Sequence, residues 1–306
     1  MKKVLLTGAS GFIGRQCAPA LIARDYEVHS VSSREQRSGH DRIDPLWHRA
    51  DLLDPEQVTA LVNHIKPSHL LHCAWYAEPG KYWNAPENHQ WVEASLHLFK
   101  EFAAAGGRRA IGVGTCAEYD WSYDVYSETE TPTNPATIYG TCKRDMGNAL
   151  DELGRQTGLS RAWGRLFFVY GPHEDPRRLV PSVILSLLRK ETAACSPGEQ
   201  VRDFLYAPDM GDALGALLDS DVSGAVNIAS GQGVAVKQIV STIATRLNGE
   251  DLLRLGALPA PANEPQVLVA NVSRLRDEVG WSPRFDLEQG LENTIDWWKA
   301  EIANRL

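Results

Sequence analysis

The most constraining stretch of the chain is Thr7-Gly8-Ala9-Ser10-Gly11-Phe12-Ile13-Gly14, where three glycines sit between an apolar run and a helical pattern. Val4-Leu5-Leu6 before it is a short apolar run that reads as a strand. After it, Phe12, Ile13, Cys17 and Leu21 recur at helical spacing. Glycines lack Cβ, so the chain can turn sharply here and present backbone N–H groups and the positive helix end to a pyrophosphate. With 25 glycines in 306 residues, a Gly-x-x-Gly-x-x-Gly spacing also arises by accident. Its place at the first strand-to-helix turn makes it a dinucleotide-binding prediction, the alternative being a tight turn with no ligand. The expected contacts are Gly8, Ser10, Gly11, Phe12, Ile13 and Gly14.

Glu27 to Ser32 alternates and is β-branched, which predicts a second strand. An NAD site usually places an acidic residue about 20 positions past the glycines to accept from the ribose 2′-OH. Here that count reaches Arg34, preceded by Ser32 and Ser33. A guanidinium with hydroxyls suits a 2′-phosphate, so Ser33 and Arg34 favour NADP. Glu35, one residue on, keeps NAD open, and solvated loop charges at Arg34 and Arg37 are the bland reading.

Asp54-Pro55-Glu56-Gln57 predicts a helix to about Lys66, with Asp54 as cap, Pro55 at the first helical position and Gln57 completing a capping box. Asp51 and Leu52 then fall in a strand-to-helix loop, where Asp51 either meets the adenine or caps the loop. His69 to Ala74 reads as a buried fourth strand that carries Cys73 and Ala74 to the cofactor groove. A loop from Tyr76 to Asn88 and a helix from about Glu87 to Ala105 follow, closed by Gly106-Gly107. A fifth strand, Arg109 to Gly114, delivers Thr115 to the carboxyl edge of the sheet, where open α/β sheets bind ligands.

This alternation predicts an α/β fold: a Rossmann-type doubly wound parallel sheet with a smaller mixed α/β C-terminal substrate domain. The cofactor domain is expected over residues 1–166 plus about 201–233, with Ala225 to Ala229 returning to its sheet. The substrate domain is expected over about 167–200 plus 234–306, with helices near Val180–Lys190, Val236–Leu247 and Leu287–Ala303. Gly256 to Pro265 reads as a connecting loop.

Composition narrows the partner classes. The balance of 31 basic against 39 acidic residues, net −8, disfavours nucleic acid. No apolar run approaches 18 residues, so no membrane span is expected, and Thr7-Gly8 ends the apolar start too early for a signal peptide. Cys17, Cys73, Cys116, Cys142 and Cys195 are odd in number and form no Cys-x-x-Cys, which predicts free thiols in a reducing cytoplasm and no metal site.

Tyr139 and Lys143 are four apart on a helix predicted to run to about Thr157. That spacing puts them on one face, with Cβ atoms about 5–6 Å apart. A tyrosine of ordinary pKa is a poor proton shuttle near neutrality, and a nearby ammonium is expected to lower it. Tyr-x-x-x-Lys alone is commonplace and usually a surface pair. The glycine turn, Thr115 at a strand end and the order of the three motifs change that reading.

Together these residues resemble the extended short-chain dehydrogenase/reductases, also called the NAD-dependent epimerase/dehydratase family. The resemblance covers essentially the whole chain. It extends to Arg165-Leu166-Phe167-Phe168-Val169-Tyr170-Gly171-Pro172, Arg202-Asp203-Phe204 and Gly280-Trp281-Ser282-Pro283. It implies Thr115 as the hydroxyl that bonds the reacting oxygen, Tyr139 as acid/base, and Lys143 as the holder of the nicotinamide ribose. It also implies a nucleotide-diphosphate sugar as substrate and a homodimer. Arg177, Arg178 and Arg202 are candidates for the diphosphate, the alternative for each being a structural ion pair; Cys116 and Glu118 are candidates for the sugar, the alternatives being a small buried thiol for Cys116 and a residue that only caps or pairs for Glu118.

Departures from the family pattern separate activities. The family's 4,6-dehydratases carry Asp-Glu directly after the Thr, whereas this chain has Cys116-Ala117, which argues against elimination. The fucose-forming epimerase/reductases place a Cys two residues after the Ser, where this chain has Ala117. Phe168 stands where many sugar-nucleotide epimerases have an Asn near the substrate phosphates. The leading expectation is an NADPH-dependent 4-ketoreductase of a nucleotide-linked deoxysugar. The alternatives are an NAD-dependent 4-epimerase and, further off, a cofactor-binding regulator without catalysis.

Overall fold

The computed structural model of the protein describes residues 2–34, 45–260 and 265–304. Glu35 and Arg37, named above beside the expected ribose site, lie outside these residues. The first half follows the expected alternation: β1 (Lys2–Thr7), α1 (Phe12–Ile22), β2 (Tyr26–Ser32), β3 (Leu46–Arg49), α2 (Pro55–Ile65), β4 (His69–His72), α3 (Glu87–Ala104) and β5 (Arg109–Thr115). Then come β6 (Val125–Tyr126), α4 (Ile138–Thr157), β7 (Ser160–Leu166), β8 (Phe168–Tyr170), α5 (Leu179–Leu188) and β9 (Ala193–Ala194). The chain continues through β10 (Val201–Tyr206), α6 (Ala207–Asp219), β11 (Gly224–Ile228), β12 (Gly233–Ala235), α7 (Val236–Arg246), β13 (Leu253–Arg254), β14 (Val267–Ala270) and α8 (Leu287–Ala303).

Seven of these strands form one parallel sheet in the order β11-β7-β5-β4-β1-β2-β3. Strand order runs outward from β1 in one direction and from β4 in the other. That leaves a crevice at their carboxyl ends, the switch point where doubly wound sheets bind ligands. Both faces of the sheet are covered, which explains why Val4-Leu5-Leu6 is continuously apolar. Val4 and Leu6 face a core with Cys17 and Leu21 of α1 and Leu214 and Leu217 of α6. Leu5 faces the other side, packed with Val58 and Val62 of α2 and Phe99 and Phe102 of α3.

A smaller sheet of order β12-β10-β14-β6, with β8 also on β10, stands beside the large one. β10 therefore pairs here, although it lies in the span expected to belong with the large sheet. α6 and β11, from the rest of that span, do pack on the large sheet. Asp203, the acid of the Arg-Asp-Phe match, ties the small sheet together: its carboxylate accepts from the backbone of Ser230, Gly231 and Ala270. Trp281 crosses the other way, joining the large core and donating Nε1–H to Asp212 at 2.9 Å.

The expected capping box at α2 forms with a different partner. Asp54 accepts from the backbone N–H of Glu56 and Gln57, as predicted. The N–H of Asp54 is occupied by the carbonyl of Asp51 at 3.2 Å. The Gln57 amide oxygen consequently accepts from the N–H of Asp51 at 3.0 Å.

A polar cross-link binds β1, β4 and α3. The Thr7 hydroxyl lies 2.7 Å from His72 Nδ1, and His72 Nε2 lies 2.8 Å from Ser95 Oγ. Burial, with the Lys143 charge adding to it, pushes His72 down to about 3. The imidazole is therefore neutral in the native protein. Between about pH 6.5 and 3 the unfolded chain binds a proton at this position and the native one does not, so stability falls as pH drops through that window. His72→Asn is expected to lose about 2 kcal/mol less stability than the wild type between pH 7 and pH 5. Urea denaturation at the two pH values checks this, and equal losses in both proteins would contradict it.

Candidate active site

The glycine turn is built around bare backbone. Gly8 has φ of +64°, and a Cβ there would lie 2.7 Å from the backbone nitrogen of Ala74. A Cβ on Gly14 would overlap the carbonyl of Gly8. The turn thus abuts Cys73 and Ala74 directly, and the Thr7 hydroxyl accepts from the Ala74 N–H at 3.3 Å. Gly11 caps α1 with no side-chain bond, and no acid occupies the first turn. The helix-start N–H groups and the positive helix end therefore remain for an anion. This cradle, open only because Cβ atoms are missing, fits the diphosphate of a dinucleotide.

Thr115 ends β5 and is buried. Its hydroxyl accepts from Ala117 N–H, and its own N–H donates to Glu118 Oε1 at 2.9 Å. Glu118 was a candidate for touching the sugar, and the structure corrects that. It is 0 % exposed, and its carboxylate also accepts from Trp163 Nε1 at 2.8 Å and Arg165 Nε at 2.7 Å. Arg165, which opens the stretch that ends in Tyr170-Gly171-Pro172, is therefore its buried ion-pair partner. Arg165 also donates to the Tyr119 hydroxyl at 3.0 Å.

Trp163 occupies a slot made by missing side chains. A Cβ on Gly112 or Gly114 of β5 would overlap its indole, and one on Gly147 of α4 would approach Nε1 to 3.0 Å. Sequence reading missed both Trp163 and Arg165. The signals were two glycines alternating on one face of a strand and an arginine in the apolar end of the neighbouring one.

Tyr139 stands in the first turn of α4, which Thr137 caps through Gly140 N–H. Its ring meets Tyr82 edge-on at 4.9 Å and Trp83 at 5.8 Å. Trp83 in turn meets Trp121 at 6.2 Å. The expectation that the neighbouring ammonium lowers Tyr139 is corrected here. Burial raises the phenol, Tyr82 adds to the rise, and Thr115 only opposes it. The start of α4 packs on the turn that follows Thr115, which makes the two residues neighbours.

Lys143 is buried, donates to the carbonyl of Val113 at 2.7 Å, and lies 3.8 Å from the centre of the Trp75 ring. Its charge is spent on these groups rather than on the phenol. Burial pushes the ammonium down to about 7, opposed by Glu118 and then Cys73.

The remaining candidates separate. Cys116 is buried and its thiol is pushed up to about 12, mainly by burial, which makes it unreactive. Arg202 is buried, donates to the carbonyls of Val201 and Gln266, and stacks over Phe168 at 5.5 Å. Arg177 is corrected as a diphosphate contact: it is exposed and pairs with Asp175 at 2.7 Å and Glu78 at 2.9 Å. Arg178 is also exposed, at the start of α5. Ser33 and Arg34 are exposed at the end of β2, with the Arg34 N–H bonded to the Ser32 hydroxyl. Asp51 caps its own loop by accepting from Leu53 N–H at 3.0 Å, and Leu52 is buried.

The model of the NAD dependent epimerase/dehydratase family matches residues 4–229. The chain belongs to that family. A UDP-glucuronic acid decarboxylase 1 from Xenopus tropicalis is 24 % identical over 323 residues, covering 99 % of this chain and 74 % of the relative. A UDP-glucose 4-epimerase from Rhizobium meliloti (strain 1021) is 26 % identical over 322 residues, covering 96 % of each. Among solved structures, a dTDP-glucose 4,6-dehydratase from Bacillus anthracis in complex with NAD superposes with a TM-score of 0.86 at 19 % identity. It covers 99 % of this chain and 98 % of the other. The family comprises nucleotide-sugar-modifying enzymes of the oxidoreductase type, including epimerases, decarboxylases and dehydratases.

Because the Trp163 slot also seats Glu118, Gly114→Ala is expected to destabilise the protein by about 1–3 kcal/mol through overpacking. Chemical denaturation measures this, and a variant as stable as the wild type would show that the slot has slack.

Proposed function

We propose that this chain reduces a 4-keto sugar carried on a nucleotide diphosphate, the step that follows dehydration in making a deoxysugar, with NADPH as hydride source. The observation that carries this reading is the state of Tyr139. A phenol raised by burial holds its proton at neutral pH. It is therefore set to protonate a carbonyl oxygen as that oxygen becomes an alkoxide. The Thr115 hydroxyl aims at the same developing charge. Lys143, on the same helix face, would hold the nicotinamide ribose. The dinucleotide, when bound on Gly8, Ser10, Gly11, Phe12, Ile13 and Gly14, supplies hydride.

Elimination is disfavoured by the residues after Thr115. Cys116 is an unreactive thiol, Ala117 has no acid, and Glu118 is locked to Arg165. Ser33 and Arg34 suit a 2′-phosphate, and we assign the substrate diphosphate to Arg202. We further infer a cytoplasmic homodimer, in keeping with the five free thiols.

A second reading, a 4-epimerase that retains NAD, is favoured by the relative of that activity and by the NAD in the dehydratase structure. The two differ in net cofactor use. Incubation with NADPH or NADH and CDP-, dTDP-, GDP- and UDP-linked 4-keto sugars is expected to oxidise NADPH in proportion to one of them. Tyr139→Phe is expected to lower kcat by about 10²–10⁴-fold with cofactor binding intact. Interconversion of sugars without net cofactor change would replace the reductase by the epimerase.

A further inference from the structure

Glu118 is fully buried, yet three residues of the large sheet and its edge converge on it. Its Oε1 takes the Thr115 N–H and the Trp163 indole N–H, and its Oε2 takes Arg165. Trp163 also faces Lys143, whose Nζ lies 5.9 Å from the indole centre. One carboxylate thus holds the hydroxyl-bearing strand end and shares the Trp163 indole with the buried ammonium.

We propose that Glu118 is a positioning residue that acts through Thr115 and Lys143, its carboxylate fixing the backbone of the first and its charge holding the second as an ammonium inside the protein. The inference rests on the reading of Thr115 and Lys143 as site residues, and not on which ketone is reduced. A buried ammonium needs a nearby negative charge to stay protonated, since burial favours its neutral form. The groups facing Lys143 are Glu118 from the turn after β5, Trp163 from β7, His72 and Cys73 at the end of β4, and Trp75 just beyond. Tyr139 shares its helix, one turn earlier. Among these, His72 is neutral and Tyr139 keeps its proton, and Glu118 leads the groups that favour the ammonium, ahead of Cys73. Glu118 is itself faced by Arg165, which prevents it from standing in the core as an unpaired anion.

The test follows Lys143 directly, without a substrate. The full-length protein is labelled with 13C-lysine, and the Lys143 resonance is assigned by its absence in Lys143→Met. It is then titrated by NMR in the wild type, Glu118→Gln and Glu118→Asp, with folding checked by circular dichroism. The amide in Glu118→Gln still accepts from Thr115 and Trp163 but carries no charge. It is expected to lower the Lys143 midpoint from near 7 by about one pH unit or more. Glu118→Asp keeps the charge and is expected to stay within about half a unit of the wild type. An unchanged midpoint in Glu118→Gln overturns the proposal. If Glu118→Gln does not fold, a fall of about a unit in the charge-conserving Glu118→Asp overturns it, and a retained midpoint supports it. A chain that reduces no 4-keto sugar but gives the expected titrations would sink the reductase reading and leave this inference standing.

Discussion

A buried ion pair sets the geometry on which the site depends. Glu118 and Arg165 meet at 2.7 Å, with side-chain exposures of 0 % and 10 %. Removing one member of such a pair costs about 3–5 kcal/mol, because it leaves the other charge uncompensated in the core. The pair is satisfied here by two further donors, the Trp163 indole and the Thr115 backbone. Indole, strand end and carboxylate can occupy one place only because β5 and α4 present glycines to it. The sheet interior and the reactive edge are therefore one construction.

Much of the fold was legible in the sequence because its signals were local and mutually consistent. The apolar run of β1, the three glycines and the helical recurrence of Phe12, Cys17 and Leu21 all say strand, turn, helix, and each element formed where expected. The cap at Asp54 was equally readable, since capping involves residues only two or three positions away. The strand Val201–Tyr206 lies in the span expected with the cofactor domain yet pairs in the smaller sheet, because pairing partners distant in sequence, Phe168 and Val267 among them, decide it.

The site was legible in its parts but not in its electrostatics. Thr115 and Tyr139 do stand as neighbours, since α4 packs on the turn that follows β5. The i,i+4 spacing suggested that Lys143 would act on the phenol, but a side chain of that length reaches other partners, here Val113 and Trp75. For Glu118 and Arg177 the sequence left a ligand contact and a structural pairing both open. Each has a carboxylate or guanidinium partner far away in sequence, Arg165 and Glu78 respectively, that no local pattern reveals. A raised phenol and a lowered ammonium are consequences of depth, and depth is a property of the assembled fold.

The convergence of Thr115, Tyr139 and Lys143 at the hydride-donating end of the cofactor is tested most directly by a crystal structure with a bound nicotinamide dinucleotide and a non-reducible keto-sugar analogue. The expected result has the diphosphate on the Gly8–Gly14 turn, and the analogue's oxygen within hydrogen-bond reach of both the Tyr139 and Thr115 hydroxyls. Its carbon would then stand about 3–3.5 Å from nicotinamide C4. A nicotinamide that ends away from Tyr139, or an analogue seated against only one of the two hydroxyls, would contradict it.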